Sequence, residues 1–530
     1  MKTTTAPAGV TDPRVLKSFE VRLESATREA LIPIPPHTTN GDEARYPDKC
    51  ATYTKCLKQD KPGVVNPAAW KSFRKALETG RPADFEKIVL GGTRPLNGPQ
   101  GALAFTLAGT DSSQFGNAPS PANQEKAAVV PVPPAMASEA YGAELIDLYW
   151  CSLLRDVAFT GYASSPLAEQ AAKELTGQPT YAGPRDPAGN VTPDLLFRGN
   201  YPGETIGPYL SQFFIKPTAL GAQPISQQLV TYKPNVDYMT DLATWQAVQN
   251  GISTGLADQP DPTPRFLRDG RGLAAFTHVD VLYQAYFTAY LVLNTLGAPL
   301  NPGNPYLKSK TQNGFGTLGQ PDIASTLAAV AKIALNAVWY QKWIVHLRHR
   351  PESGGGVAHL IKTGQGSAIT GTLSNNVLDS VALQTSFEKY GTYLLSQAFP
   401  EGSPAHPAYP TGHGAVGGAC ITALKFFFDG NFTIPAPKVP ASDGLSLLPY
   451  TGTDAGSMTV NGELNKLGHN VTFGHGLHGG IHWRSDSDAS MLLGEAVAIS
   501  YLQDTARTYN EKFNVRFTRF DGSIATISNR

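Results

Sequence analysis

From residue 67 onward, apolar positions recur every three to four residues through a succession of segments. Over 136–157, Ala140, Leu145, Ile146, Leu148, Tyr149, Leu153 and Leu154 keep this spacing. The same period predicts helices over 68–78, 279–296, 323–347, 380–398, 415–428 and 487–509. Gly-, Pro- and Asn-rich loops such as 183–193 and 301–321 separate them. Two-residue alternation is brief: 229–232, 432–434, and a terminal hairpin 515–518/523–527 around Asp521-Gly522. The pattern predicts an all-α architecture, a helical bundle core with long loops and a few short strands. Residues 1–65, polar and Pro-rich, read as an arm that wraps a neighbouring subunit or the body, and 66–530 as a single helical domain.

Composition narrows this picture. The 530 residues carry 43 Lys plus Arg against 43 Asp plus Glu, a formal net charge of zero. No global field steers the chain toward nucleic acid or an anionic membrane, so any anion selectivity must be local. Charged residues make up 16%, below the usual share of about 25%, which fits a subunit that hides surface in an oligomer. Residues 1–40 lack the apolar core of a secretory signal. The apolar stretch 282–300 is interrupted by Gln284, Asn294, Gly297 and Pro299 and reads as a buried helix rather than a membrane span. Of four cysteines, Cys50 and Cys56 either close a small loop or stay as two thiols, and Cys151 and Cys420 read as buried small hydrophobes.

Three clusters carry chemistry. In 341–352, Pro351 disfavours helix at its predecessor, so the helix from 323 is expected to end near Arg350. Lys342 on its last turns and Arg350 at its exit are two cations able to meet one anion; the bland reading is a basic C-terminus offsetting the macrodipole. In 403–415, Thr411-Gly412 opens an apolar helix, so backbone N–H groups and a hydroxyl form an anion cradle with His413 in reach as an acid/base. A turn and N-cap is the simpler reading there, although it leaves His406, seven residues before His413, unexplained. In 473–486, His482 and Asp486 stand four apart, a spacing that lets the carboxylate hold one imidazole nitrogen and free the other for a metal centre. Ser485 or Asp486 also suits the N-cap of the next helix. His475, His478 and His482 would share a face, as a transition-metal site requires, if 475–482 were helical, but four glycines oppose that helix.

The ordered set Lys-x7-Arg-Pro, Pro-Thr-Gly-His and His-x3-Asp resembles the vanadium-dependent haloperoxidases, whose site is shared with acid and lipid phosphatases. The eight-residue step from Lys342 to Arg350 is similar to the red-algal and cyanobacterial bromoperoxidase branch. So are His406, the segment 139–159 and the segment 207–213, and the resemblance spans about residues 85–505. It implies one vanadate per subunit, bonded to His482 and held by Lys342, Arg350, Thr411 and the Gly412 amide. It implies His413 as acid/base, His406 on the halide side and Asp486 behind His482. The implied activity is bromide (and iodide) oxidation by hydrogen peroxide to hypohalous acid, which halogenates small organic compounds. Homo-oligomers, from dimers to larger shells, and a cytoplasmic rather than secreted location follow from the same resemblance. A phosphatase using a phosphohistidine at this pocket and a non-catalytic relative are the alternatives.

Two departures from the family pattern stand out. Thr411 replaces serine and keeps the hydroxyl. The arginine expected six residues before His482 is Gly476, with one extra residue in the segment and His475 just upstream. Losing one charge-assisted hydrogen bond, roughly 1.5–3 kcal/mol, weakens an oxyanion by about tenfold to a hundredfold unless His475 compensates.

Overall fold

The computed structural model describes residues 8–116 and 130–529, so the first seven residues of the expected arm lie outside the described residues. The longer helices include α1 (Pro13–Ala30), α2 (Pro67–Thr79), α3 (Glu139–Leu153), α4 (Gly270–His278), α5 (Gln284–Thr295) and α6 (Gln320–Tyr340); α1 and α4 lie outside the periodic segments, and the helix expected from 279 begins only at Gln284. They continue with α7 (Pro351–Lys362), α8 (Val381–Tyr390), α9 (Gly412–Phe427), α10 (Val460–Phe473) and α11 (Arg484–Thr508). Local chemistry sets the ends. Asn66 accepts from the amides of Ala68 and Ala69 to start α2, and Gly80 in the left-handed region stops it. Gly391 at φ 72° ends α8, which is why the helix expected to reach 398 is cut short and 397 instead bridges to Tyr238.

Strands stay marginal, as the brief alternation predicts. The terminal hairpin forms between β1 (Asn514–Thr518) and β2 (Ile524–Ser528), in register from Asn514 with Ser528 to Thr518 with Ile524. The segments 229–232 and 432–434 make only isolated bridges. With most backbone pairing spent inside helices, the architecture is all-α.

The core is built on α9, every residue of which is buried, packed between α6 and α11. Gly418 and Gly494 make the α9–α11 approach possible. A Cβ on Gly418 would lie 2.1 Å from the Met491 carbonyl, and one on Gly494 2.0 Å from the Ala415 carbonyl. The continuous helix Gln320–His346 is long and apolar enough to cross a bilayer, yet 56% of its apolar window is buried inside the fold. Within 1–65, behaviour divides. α1 buries none of its residues, whereas Cys50, Tyr53, Cys56 and Leu57 are buried in the body. The Lys55 ammonium, 1% exposed, pairs with Glu352 at 2.5 Å and donates to the carbonyls of Glu401 and Ser403. All four cysteines are free and buried, which decides between the two readings of Cys50 and Cys56.

Candidate functional site

The helix from 320 does not run on to Arg350. It widens at Gln341–His346 into a π turn, and Leu347 in the left-handed region breaks it. Arg350 is instead the N-cap of α7, with Pro351 at its first position. Lys342 is fully buried and donates to the carbonyls of Pro407 (2.8 Å) and Ala408 (2.6 Å). Arg350 donates through Nε to the His406 carbonyl (2.9 Å). Its remaining N–H groups reach the Ile481 carbonyl (2.8 Å), His482 Nε2 (2.7 Å) and His406 Nδ1 (2.9 Å). Among the described residues neither cation has a carboxylate partner within ion-pair distance. Burial, and then the other cation, holds the Lys342 ammonium well below its ordinary range, and burial pushes Arg350 down to about 10.

Thr411 is the N-cap of α9, but its hydroxyl caps nothing. Oγ1 is buried and unpartnered, while the Thr411 amide donates to the Asp486 carbonyl (3.1 Å). Gly412 follows as the first helical residue and lies beneath Leu335 and Trp339. His413 Nε2 meets Asp280 Oδ1 at 3.0 Å, and its ring lies 4.0 Å from that of His475. His475 is 5.8 Å from His482 ring to ring, and its Nδ1 is buried without a partner.

His482 is turned by Asp486. Oδ2 of Asp486 accepts from His482 Nδ1 (2.8 Å) and from the Trp483 amide (3.1 Å), and Oδ1 accepts from Arg348 (2.7 Å). That leaves His482 Nε2 as the acceptor facing Arg350. The N-cap of α11 is Trp483, so Asp486 works from the third helical position and neither it nor Ser485 is the cap. The Ser485 amide donates to Glu144. Burial, with Arg350 and Lys342 next, holds His482 and His406 well below the usual imidazole range. For His475 burial comes first and His413 second.

The three-histidine face does not form. Gly474–His478 is a second π turn, and it sends His478 to the opposite side. There His478 Nδ1 accepts from the Cys151 thiol (3.0 Å) and Nε2 donates to the Tyr209 hydroxyl (3.1 Å). Among the described residues no cluster of His, Cys, Asp and Glu is placed to hold a divalent ion.

Comparison with known proteins decides the family. The family profile described as the VCPO second helical-bundle domain matches residues 323–511. The vanadium-dependent bromoperoxidase of Corallina officinalis is 31% identical over 98% of this chain and 100% of its own length. The chain belongs to the vanadium-dependent bromoperoxidase family. The Ascophyllum nodosum enzyme of that name is 31% identical over 91% of this chain and 87% of its own. The homohexameric structure of a second vanadate-dependent bromoperoxidase from Ascophyllum nodosum superimposes with a TM-score of 0.89. It is 28% identical and covers 99% of this chain and 94% of that one.

The residues present fit the cofactor of a vanadium-dependent bromoperoxidase. Among the described residues, two buried cations without counter-ions, an idle Thr411 hydroxyl and an idle His475 nitrogen together ask for an oxyanion. Sequence reasoning missed the residues that brace this family site. Asp280 lies 133 positions from His413 with no local signature. Arg348 sits inside the basic run and spends its charge on Asp486 and Glu144. Trp339, with its ring 4.7 Å from His406, read as one more apolar helix position.

Proposed function

We propose that this chain is a vanadate-dependent bromoperoxidase that oxidises bromide, and iodide, with hydrogen peroxide. The observation that carries the reading is His482, locked at Nδ1 by Asp486 so that Nε2 is left for a metal centre beside two buried cations that lack counter-ions. Lys342, Arg350, Thr411, the Gly412 amide and His475 would hold one vanadate, with His482 as its protein ligand. When bound, the vanadate supplies Lewis acidity that activates peroxide for attack by halide. The chain's own residues do the rest. Asp486 fixes the His482 tautomer, and Arg348 fixes Asp486. His413, held at Nε2 by Asp280, moves protons at the pocket mouth. His406, packed on Trp339, lines the halide side.

The same reading makes the protein a homo-oligomer. α1 leaves Leu16, Phe19 and Leu23, spaced for one helix face, only half-buried in the single chain, which supports a second copy as their cover.

Bromination of an organic dye, measured with and without added vanadate beside hydrolysis of a phosphate ester, tests the activity. Vanadate-stimulated bromination is the expected result. Ester turnover without bromination makes the protein a phosphatase, and silence in both makes it a non-catalytic relative.

A further inference from the structure

Behind the second π turn lies a separate pocket of about 450 Å³, bounded by 159–162, 194–210 and 439–454. Its floor is aromatic. Phe159 stacks on Tyr209 with centroids 3.8 Å apart and planes 12° from parallel, and Tyr162 meets both edge-on. One wall is Arg198, which donates to the carbonyls of Glu204 (3.1 Å) and Gly207 (3.0 Å). Its Nε is buried without a partner, and among the described residues no carboxylate lies within ion-pair distance of it. Burial lowers its pKa from the ordinary guanidinium value.

The other charged groups on this pocket are Asp194, Arg268 and Asp454. Asp454 is engaged by the Gly207 amide (2.6 Å) and the Tyr450 hydroxyl (2.7 Å). Arg268 is paired with Asp269 at 3.1 Å and donates to the Ser442 carbonyl. Asp194 is exposed at the edge. Arg198 is therefore the one cation lining the cavity that has no carboxylate within ion-pair distance among the described residues, while Asp454 is held by neutral donors and Asp194 sits at the exposed edge. A concave site of a few hundred Å³ with an apolar floor and a few convergent polar groups is the usual form of a small-molecule site.

We propose that this pocket binds a small aromatic carboxylate, its ring on the Phe159–Tyr209 floor and its carboxylate on Arg198. An inorganic oxyanion would gain nothing from the floor, and a neutral aromatic would leave Arg198, which donates to two carbonyls and lies 5.7 Å over the Tyr209 ring, without a counter-ion. The pocket shares no lining residue with the oxyanion cradle. Tyr209 nevertheless takes a hydrogen bond from His478, three residues beyond His475.

Titration of the full-length protein with 4-fluorobenzoate, followed by fluorine NMR, tests this directly. Saturable binding is expected, with 4-fluorobenzyl alcohol at least about tenfold weaker and with saturating vanadate unable to displace the benzoate. Arg198→Gln should weaken benzoate by about tenfold or more. Because Arg198 also ties down two loop carbonyls, Thr205→Trp, at an exposed lining position, gives an independent check. It should block benzoate while leaving the dye-bromination rate unchanged. No binding, equal binding of the alcohol, displacement by vanadate, or indifference to both substitutions would each overturn the proposal.

Discussion

Two buried histidines in this fold have opposite surroundings. His482, 1% exposed, faces Arg350 and the Lys342 field, and its imidazole is held neutral. His469, 2% exposed, lies between Glu204 Oε1 (2.5 Å) and Asp488 Oδ1 (2.9 Å). Burial alone would lower His469 as well, but the two carboxylates raise it to about 9. The second cluster is charge-complete and ties the 201–204 loop to α10 and α11. The first has positive charge without an answer. Equal burial therefore yields a structural clasp in one place and a receptor for an anion in the other, and what separates them is where the carboxylates stand.

Removing each imidazole should separate the roles most sharply. His482→Ala should cut vanadate affinity by about a thousandfold or more, about 4 kcal/mol, in equilibrium dialysis. Its urea stability without vanadate should fall by only about 1–2 kcal/mol, because Asp486 keeps Arg348 and the Trp483 amide. His469→Ala should do the reverse, losing about 3–5 kcal/mol of stability because Glu204, 1% exposed, is left without its cation. A large stability loss in the first variant, or none in the second, erases the contrast.

The two classes also titrate in opposite senses. His469 has its folded pKa raised, so its contribution is complete below pH 6.5 and is lost as pH rises through about 9. At about 1.4 kcal/mol per pH unit this amounts to about 3 kcal/mol. His346, His349 and His478 are lowered to about 3, chiefly by burial. Each costs nothing above pH 6.5 and destabilises as pH falls toward 3, when only the unfolded chain takes up the proton. Unfolding free energies measured across pH should show both limbs, and Glu204→Gln should shrink the alkaline one, with Asp488 alone still raising His469.

The smallest effect concerns the cradle wall. His475→Arg should tighten vanadate by about tenfold to a hundredfold, roughly 1.5–3 kcal/mol, by adding a permanent charge-assisted donor. His475→Ala should weaken it. An affinity that ignores both substitutions places His475 outside the site despite its 4.0 Å approach to His413.

Much of this was legible in the chain. Apolar periodicity found α2, α3, α5, α6, α8, α9 and α11, but not α1, α4, α10 or α7 with its three consecutive glycines. The short spacing from His482 to Asp486 announced a contact that formed at 2.8 Å. What stayed hidden was of two kinds. Asp280 and Glu144 reach the site only through tertiary packing, so no local spacing could mark them. The π turns were invisible because a 3.6-residue period passes smoothly into a wider turn without changing which residue types appear. Leu347, a residue type with no preference for the left-handed region, likewise gave no sign that the helix before Arg350 stops there.

Those two π turns carry Lys342, one of the two buried cations, and His475, which the proposed function assigns to the same cradle. A π turn takes up one surplus residue without moving the helix that leads into it. The identity of the group presented to the anion is thus set by chain length as much as by residue choice. A one-residue insertion or deletion near residue 475 should therefore change which side chain meets the anion while leaving α10 in place. For a lineage, that is a short step between grips of different strength on the same cofactor.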